Sequence, residues 1–516
     1  MQFPLAMGYA ETHYKFKLPW SPLHEAWPEI FLDAPSRLEP GQDWPVWLVV
    51  RDADLFAVLI HSITVSILAE GFPPLEIKLP LAQRFTEPFH FFRLNVPLSG
   101  RKGMVTVHAV IDAQRVGKKL PRKPHKLIHD WNYPGLAPMP LQVQVLEHPY
   151  PKPQGWWAGE THCHTWHSSD PVEFGAPAHI LQTAARALGL DYVQTTDHSY
   201  DFSFRQDNYR IAADPLTRWQ AACAEVAALP AHPLMIPGEE VSCGNSRGQN
   251  VHLLVAGHPE YIPGLGDSGR NWFHNRPDLS IGEVLDQAKT VPCFAAHPQY
   301  PIRWLERKVF RRGPYHAEDL FLEGPNPIAG LEFWNGSLDA GFHAGRKFWI
   351  SQLLQGAHLL PIGGNDAHGD LNRFCGVKTP LFSLFSSRSR IFGKVRTVLN
   401  NAAQDQLVLA TLHASFRAAQ QSGQLYITDG PSLHMQLNMP NLVLTADSTS
   451  DFGVLTEVIL FWGDLKDRCE VQEILHPNQT NYCTVFSLKS QCAYVRAECR
   501  TQFGNFALSA PVWYNL

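Results

Sequence analysis

Along the first 150 residues, apolar positions recur in short β-branched or aromatic runs separated by turns that contain proline or glycine. PVWLVV at 45–50, the apolar run from Leu55, FFRLNV at 91–96 and GMVTVHAVIDA at 103–113 read as strands, several of them partly alternating. Prolines between Pro121 and Pro153 then break the pattern and predict a linker or extended wrapping segment. From about 156 to 380 the pattern changes. Short apolar strands recur, including DYVQTTDH at 191–198, PLMIPGEEV at 233–241, VPCFAAHP at 291–298, GLEFWNG at 330–336 and LLPIGGNDAHG at 359–369. Several follow helix-like stretches, among them APAHILQTAARALG at 176–189, WQAACAEVAAL at 219–229, IGEVLDQAKT at 281–290 and AGRKFWISQLLQG at 344–356. Helix followed by parallel strand, repeated, predicts an α/β layer or barrel with its chemistry at the C-terminal ends of the strands.

Beyond 380 one more helical stretch, ATLHASFRAAQQSG at 410–423, precedes LTEVILFWG at 455–463, YCTVFSL at 482–488 and CAYVRAECR at 492–500. These read as strands of a second β-rich unit, which either forms a separate cap or completes a sandwich with the N-terminal region. The expected division is therefore a β-rich domain at 1–150, an α/β domain at 156–380 and a helix-plus-β region at 381–516.

Composition narrows the function. The chain is 45% apolar and 18% charged, which is globular, and its net charge of −5 comes with no long basic run. Nucleic-acid binding is not expected, because neutralising phosphates supplies much of that affinity. The densest basic patch, Lys118, Lys119, Arg122, Lys123 and Lys126, reads as a solvated loop. The apolar run at 55–69 contains His61 and serines and is short for a membrane span. The first twenty residues lack the basic-then-apolar order of a secretory signal. A cytoplasmic protein acting on a small molecule is the expectation, and no heptad pattern marks an oligomer interface. Of nine cysteines, Cys469, Cys483, Cys492 and Cys499 crowd the C-terminal region without C-x-x-C spacing, so buried free thiols are expected.

The chemistry concentrates at strand ends. In GETHCHTWHSSD, 159–170, His162 and His164 are two apart and emerge on one face of an extended strand, where two imidazoles can grip one divalent cation. Cys163, between them, should face away and pack. Similar positions follow: His198 in TTDHS, Glu239 and Glu240 in GEE, His252 in NVHLLVAG, His297 in FAAHP, and Asp366 with His368 in GGNDAHG. A carboxylate behind an apolar strand is costly unless paired or solvated. A shared metal site satisfies all of these positions together. His162, His164, Asp170, His198, Glu240, His252, His297, Asp366 and His368 exceed the needs of one zinc, so two or three divalent ions of zinc, manganese or iron are expected. Such ions activate water for hydrolysis.

These segments, in order and together with the later GQLYITDGP at 423–431, resemble the PHP superfamily of metal-dependent hydrolases, in particular the branch with carbaryl-hydrolase-like members. The resemblance covers about 156–378. It implies a distorted seven-stranded (β/α) barrel with up to three metal ions and a metal-bridged hydroxide as nucleophile. His162 and His164 would bind one ion, Glu240 would bridge, Asp170 and His198 would lie nearby, His252 and His297 would serve a third position, and Asp366 with His368 would close the cluster. Motif alignment favours Glu240 over its neighbour Glu239. Pro171 stands where the family more often has glycine, which makes His167 an alternative to Asp170. Asn365 replaces the commoner serine before Asp366, with a different hydrogen-bonding capacity beside the metal carboxylate.

Phosphoester hydrolysis is the leading expectation, with Asp366, Glu240, Arg373 and Arg303 as catalytic residues. Among Arg205, Arg247, Arg303, Arg346 and Arg373, these two arginines are the ones to test for meeting phosphoryl oxygens. Hydrolysis of a carboxyl ester, carbamate or amide on the same centre is an alternative, as is a non-catalytic binding protein with a relic metal site. Asp197 is expected to pair locally, and Trp156, Trp157 and Trp166 to pack.

Overall fold

The structure is a computed structural model that describes residues 26–514 apart from 118–119, 122, 133–138, 169–174, 207, 269–275, 290, 323–326, 370, 373–389 and 402–405. Its N-terminal part is a β-sandwich. Strands Val58–Ala69 and Gly103–Arg115 pair antiparallel at the centre of a six-stranded sheet. In Gly103–Arg115 every second residue from Val105 onward is buried, the period-2 signature of a sheet wet on one face. The buried face packs on a three-stranded sheet of Glu29–Asp33, Val46–Arg51 and Phe89–Leu94, through one core that includes Ile30, Leu48, Val65 and Ile111. Lys118, Lys119 and Arg122 of the basic patch lie outside the described residues, while Lys126 sits over the Trp27 ring.

The middle of the chain is a mixed α/β fold built on two sheets, one of eleven strands and one of six. Trp156–His164 pairs in parallel with Tyr192–Thr195, which pairs in parallel with Leu234–Ile236. Past Thr196 and Pro237 these two strands continue as Asp197–His198 and Gly238–Gly244, which pair with each other in the second sheet. That sheet runs on through Asn250–Ala256, Cys293–Ala296, Gly330–Asn335 and Leu360–Gly364. Beyond Asn365 and Asp366 the chain returns as Ala367–His368 to pair in parallel with Trp156–His164.

One strand departs from the expected parallel order. Asn250–Ala256 is antiparallel to both of its neighbours. The five residues 245–249 are too few for a crossover and leave only a hairpin. The helices follow their sequence signals. Asp214 caps Pro215–Ala227, Ser280 and Glu283 form a capping box for Ile281–Ala288, and Asp339 caps Ala340–Leu353. Gly345 brings that last helix against the sheet, since a Cβ there would stand 2.5 Å from the Phe333 Cβ.

The eleven-stranded sheet does not stop at the end of this unit. It continues through Arg396–Asn400, Leu425–Thr428, Phe506–Ser509, Tyr494–Thr501, Leu455–Asp464 and Cys469–Leu475. A three-stranded sheet of Ser432–Asn438, Asn441–Asp447 and Asn481–Ser487 packs on that extension through Leu433, Met435, Leu444, Leu460, Trp462 and Val495. The C-terminal region thus makes its own sandwich instead of completing the N-terminal one. It touches the latter at a few points, such as the Tyr150 and Phe452 rings 5.2 Å apart. Cys492 and Cys499 are buried as expected, whereas Cys469 and Cys483 are exposed because their strands leave one face wet. Among the described residues no helix is long and apolar enough to cross a membrane.

Candidate metal centre

Every residue of Trp156–His164 is buried. Alternation sends Cys163 into an apolar core with Val193 and Ala367, its Sγ 3.5 Å from the Gln194 carbonyl, and sends His162 and His164 to the opposite side. Strand register then assembles the rest. His164 lies opposite His368 in one ladder, and their rings stack with centroids 3.9 Å apart. His198 lies beside Glu240 in the other, which puts Asp197 and Glu239 together on the reverse face.

Glu240 is the hub. Its Oε2 lies 3.5 Å from His162 Nε2, 3.5 Å from His164 Nε2 and 3.1 Å from His198 Nδ1. Its Oε1 lies 2.6 Å from His252 Nδ1 and 2.9 Å from His297 Nε2. Asp366 Oδ1 closes the near side at 3.1 Å from His164 Nε2 and 3.5 Å from His162 Nε2. Three overlapping groups of ligand atoms result: His162, His164, Glu240 and Asp366; His164, His198 and His368; and His198, Glu240 and His252. The shared members allow neighbouring ions to use common ligands.

Partners outside the cluster fix which ring nitrogen faces inward. His368 Nδ1 donates to the Asp366 carbonyl at 3.0 Å, so its Nε2 lone pair faces His198 Nε2, 3.5 Å away. Ser168 Oγ donates to Asp197 at 2.9 Å and accepts from His164 Nδ1 at 3.0 Å, leaving His164 Nε2 for the centre. Asp267 Oδ2 accepts from His252 Nε2 at 3.0 Å and from Arg312 Nε at 2.6 Å. Such contacts set tautomer and ring orientation at metal sites. Asp366 Oδ2 is held by Arg390 and, at 3.3 Å, by Asn335 Nδ2. Asp366 and His297 have positive φ, 50° and 31°, a strained conformation for non-glycine residues that the surrounding contacts hold in place.

The electrostatics suit cations. Burial opposes ionisation of Glu240, but His252 and His162 outweigh it and hold the carboxyl well below its ordinary range. For Asp366, Arg390 and His162 overcome burial in the same way. Burial and the neighbouring His368 and His198 hold His164 neutral, the form that binds a metal. Both ring nitrogens of His162 are buried without a hydrogen-bond partner. A buried imidazole left unsatisfied is expensive. A divalent ion between its Nε2 and the adjacent carboxylates removes that cost, so the donor set fits a multinuclear metal centre.

Of the expected ligands, His162, His164, His198, Glu240, His252, His297, Asp366 and His368 converge here. Asp170 and Arg373 lie outside the described residues. His167 does not take the place of Asp170, because its Nε2 faces Glu225 at 3.1 Å and Arg218 donates to its Nδ1 at 3.2 Å. The Asn365 amide turns from Asp366 toward the buried carboxyl of Glu160 and the Val395 carbonyl. Arg303 is exposed just before the helix Trp304–Val309, and Arg346 pairs with Glu498. Asp197 pairs locally, accepting from Thr165 N at 2.8 Å and Thr165 Oγ1 at 2.7 Å, and Trp156 and Trp157 are buried in cores.

Sequence reading missed Glu332, Asn335, Asp267, Arg312 and Arg390. Glu332 Oε2 is 3.5 Å from His162 Nδ1 and accepts from the His297 amide at 2.9 Å. Its signal was present, since the GLEFWNG segment carries an acid and an amide on a strand whose equivalents all supply ligands. A far roomier cleft of about 900 Å³ lies in the N-terminal sandwich, between Leu38–Trp44 and Arg93–Lys102. It contains none of the ligand set, and chemistry outweighs volume in choosing the site.

No family profile matches the sequence, and no curated protein matches it. Solved structures that it matches include a calcium-binding mutant of Bacteroides uniformis β-glucuronidase 2, at 12% identity over 94% of this chain with a TM-score of 0.19. Another is a β-D-mannosidase from Dictyoglomus thermophilum, at 11% identity over 98% of this chain, 70% of that chain and a TM-score of 0.20. The chain spans 60% of the length of the first. Superpositions this loose carry no argument about fold or activity. What stands is a buried cluster of histidines and carboxylates, suited to metal binding, in an α/β fold.

Proposed function

We propose that the chain is a metal-dependent hydrolase, and more narrowly a phosphoesterase of the PHP type. The observation that carries this reading is Glu240, one buried carboxylate within 3.5 Å of nitrogens from five histidines. Such a concentration of largely buried ligand atoms is costly to fold unless cations complete it. In support of a seven-stranded barrel, the bent strands at 192–198 and 234–244 bridge the two sheets on one side, and the return at 367–368 bridges them on the other. The division into flanking β-rich domains around residues 156–380 is part of the same proposal.

His162, His164, His198, His252, His297, His368, Glu240 and Asp366 would hold two or three ions of zinc, manganese or iron, with Glu332 beside them, and Asp170 stays a proposed ligand on sequence grounds. Bound ions of this kind supply an activated water and polarise the phosphoryl oxygen. The protein's own part is positional and electrostatic. Arg390 and Asn335 grip one oxygen of Asp366 and thereby aim the other at His162 and His164. The guanidinium of Arg390, its side chain 26% exposed, stands at the mouth of the cluster, where it can meet the non-bridging oxygens of a phosphoester. Arg373 and Arg303 remain proposed contributors on sequence grounds.

Metal-replete protein assayed against phosphomonoesters, phosphodiesters and aryl carboxyl esters or carbamates tests the reading. Turnover of a phosphoester, abolished by Asp366→Asn with the fold retained, is the expected result. Turnover of carbamates or carboxyl esters alone would move the enzyme to the alternative bond class. Full activity of Asp366→Asn would remove the assigned site.

A further inference from the structure

The strand Gly330–Asn335 ends beside the cluster, where Asn335 Nδ2 lies 3.3 Å from Asp366 Oδ2. Asp366 is held ionised, and an ionised carboxylate only accepts hydrogen bonds. The amide of Asn335 therefore has one orientation, with its NH2 group on Asp366 and its carbonyl oxygen left over. That oxygen, Oδ1, is buried and accepts no hydrogen bond among the described residues. A buried acceptor without a donor is expensive.

The missing donor has a way in. Asn335 lines a narrow cleft together with His297, Tyr300, Ser337 and Asp339. His297 belongs to the cluster, so the cleft begins there, and exposed Asp339 marks its outer end. Tyr300, 41% exposed, and Asp339 flank Gly341: a Cβ added to that glycine would stand 3.5 Å from Tyr300 Cδ2 and 3.1 Å from Asp339 Oδ1. Two kinds of surface thus share one gap. Tyr300 offers a ring, while Asn335, Ser337 and Asp339 offer oxygens. Asp339 accepts from Phe342 N at 3.1 Å through Oδ1, which leaves its other oxygen for a donor in the cleft. Arg390 lines the same cleft but stays on Asp366.

We infer that this cleft receives the alcohol portion of the substrate, that this portion is a polyol, and that Asn335 Oδ1 accepts a hydrogen bond from one of its hydroxyls. This rests on the phosphoesterase reading. The carbon skeleton lies along Tyr300, and Ser337 and Asp339 meet the outer hydroxyls. A hydroxyl suits Asn335 better than an ammonium, because burying a full charge against a neutral amide costs far more. A second phosphate on the alcohol would meet Asp339 and is disfavoured.

Steady-state kinetics of the metal-loaded full chain on glycerol 1-phosphate, propyl phosphate and 3-aminopropyl phosphate, each as the monoester and as its methyl diester, test the inference. The glycerol ester should exceed the propyl ester by about tenfold or more in kcat/KM, the penalty for leaving a buried acceptor unpaired. The aminopropyl ester should not share that advantage. Asn335→Ala should lower turnover of both the glycerol and the propyl ester, because Asp366 also loses a tether, yet the preference for glycerol should shrink to about twofold or less. Ser337→Ala should reduce the preference by a smaller factor. An equal loss on both esters, with the preference intact, would mean that Asn335 acts only through Asp366, and it overturns the inference. Equal kcat/KM for the two esters in wild type, or a preference for the aminopropyl ester, overturns it without any variant. If Asn335→Ala fails to hold metal, the wild-type preference and Ser337→Ala decide. Turnover of none of these phosphoesters overturns the phosphoesterase reading and this inference with it.

Discussion

Glu239 and Glu240 are consecutive, equally buried and opposite in electrostatic character. Glu240 faces five imidazoles and is held ionised. Glu239, on the other face of the same strand, accepts from the Ile262 amide at 2.8 Å and lies 3.3 Å from His258, whose ring stacks on Trp219. Burial there raises the Glu239 carboxyl well above its ordinary range, and burial pushes His258 down to about 4, so burial drives both toward their neutral forms. Residue type and depth are the same in the two cases. The face of the strand decides whether a carboxyl is held ionised among imidazoles or driven toward its neutral form.

The sharpest way to break this contrast is to neutralise the hub. Glu240→Gln should cost at least one ion per chain by elemental analysis, and turnover should fall by about 10³-fold or more. Unchanged metal content would place the centre elsewhere. The next effect is on stability: stripping metal with a chelator should lower the melting temperature by on the order of 5 °C or more, because ions bind only the folded cluster. A chelator-insensitive melting curve would mean that the cluster folds without ions. Cys163→Ala removes a buried group from the reverse side of the strand that carries His162 and His164. It should cost about 1–2 kcal/mol in denaturant titrations and leave metal content intact.

Glu239→Gln should be mildest, with metal content unchanged and turnover within about twofold of wild type. Its pH dependence has a definite sign. The folded carboxyl is raised above its ordinary value of 4.5, so wild type must keep a proton on folding and loses stability as pH rises above that value. Glutamine carries no such proton. The melting temperature of the variant relative to wild type should therefore rise between pH 5 and pH 8. A gap that shrinks over that range would mean that Glu239 is ionised in the fold.

Much of the cluster was legible because its side chains sit on regular strands or at their ends. The H-x-H spacing of His162 and His164 needs only period-2 alternation, and the GEE and NDAH segments fall where their strands end. The register that stacks His164 on His368 was not legible, because pairing between distant strands leaves no trace in local spacing. Arg390 and Asp267 were missed for a related reason. Each lies outside the strands that carry the cluster, and only tertiary contact with His252 or Asp366 gives it a role. At fold level the helix–strand alternation was visible, whereas the antiparallel Asn250–Ala256 strand and the shared eleven-stranded sheet depended on connection lengths and edges.

That shared sheet has a practical consequence. The strand bearing His162 and His164 has Arg396–Asn400 as its neighbour along Trp156–Gly159, and Arg396–Asn400 in turn leads into the C-terminal sandwich. Cutting the chain near residue 380 would therefore not release a self-contained fragment around the cluster. It would bare an unpaired edge directly behind His162 and His164, an invitation to aggregate. Truncations that aim to shorten this protein should leave its tail in place, and a lesion in the distant sandwich can weaken the cluster without touching any of its side chains.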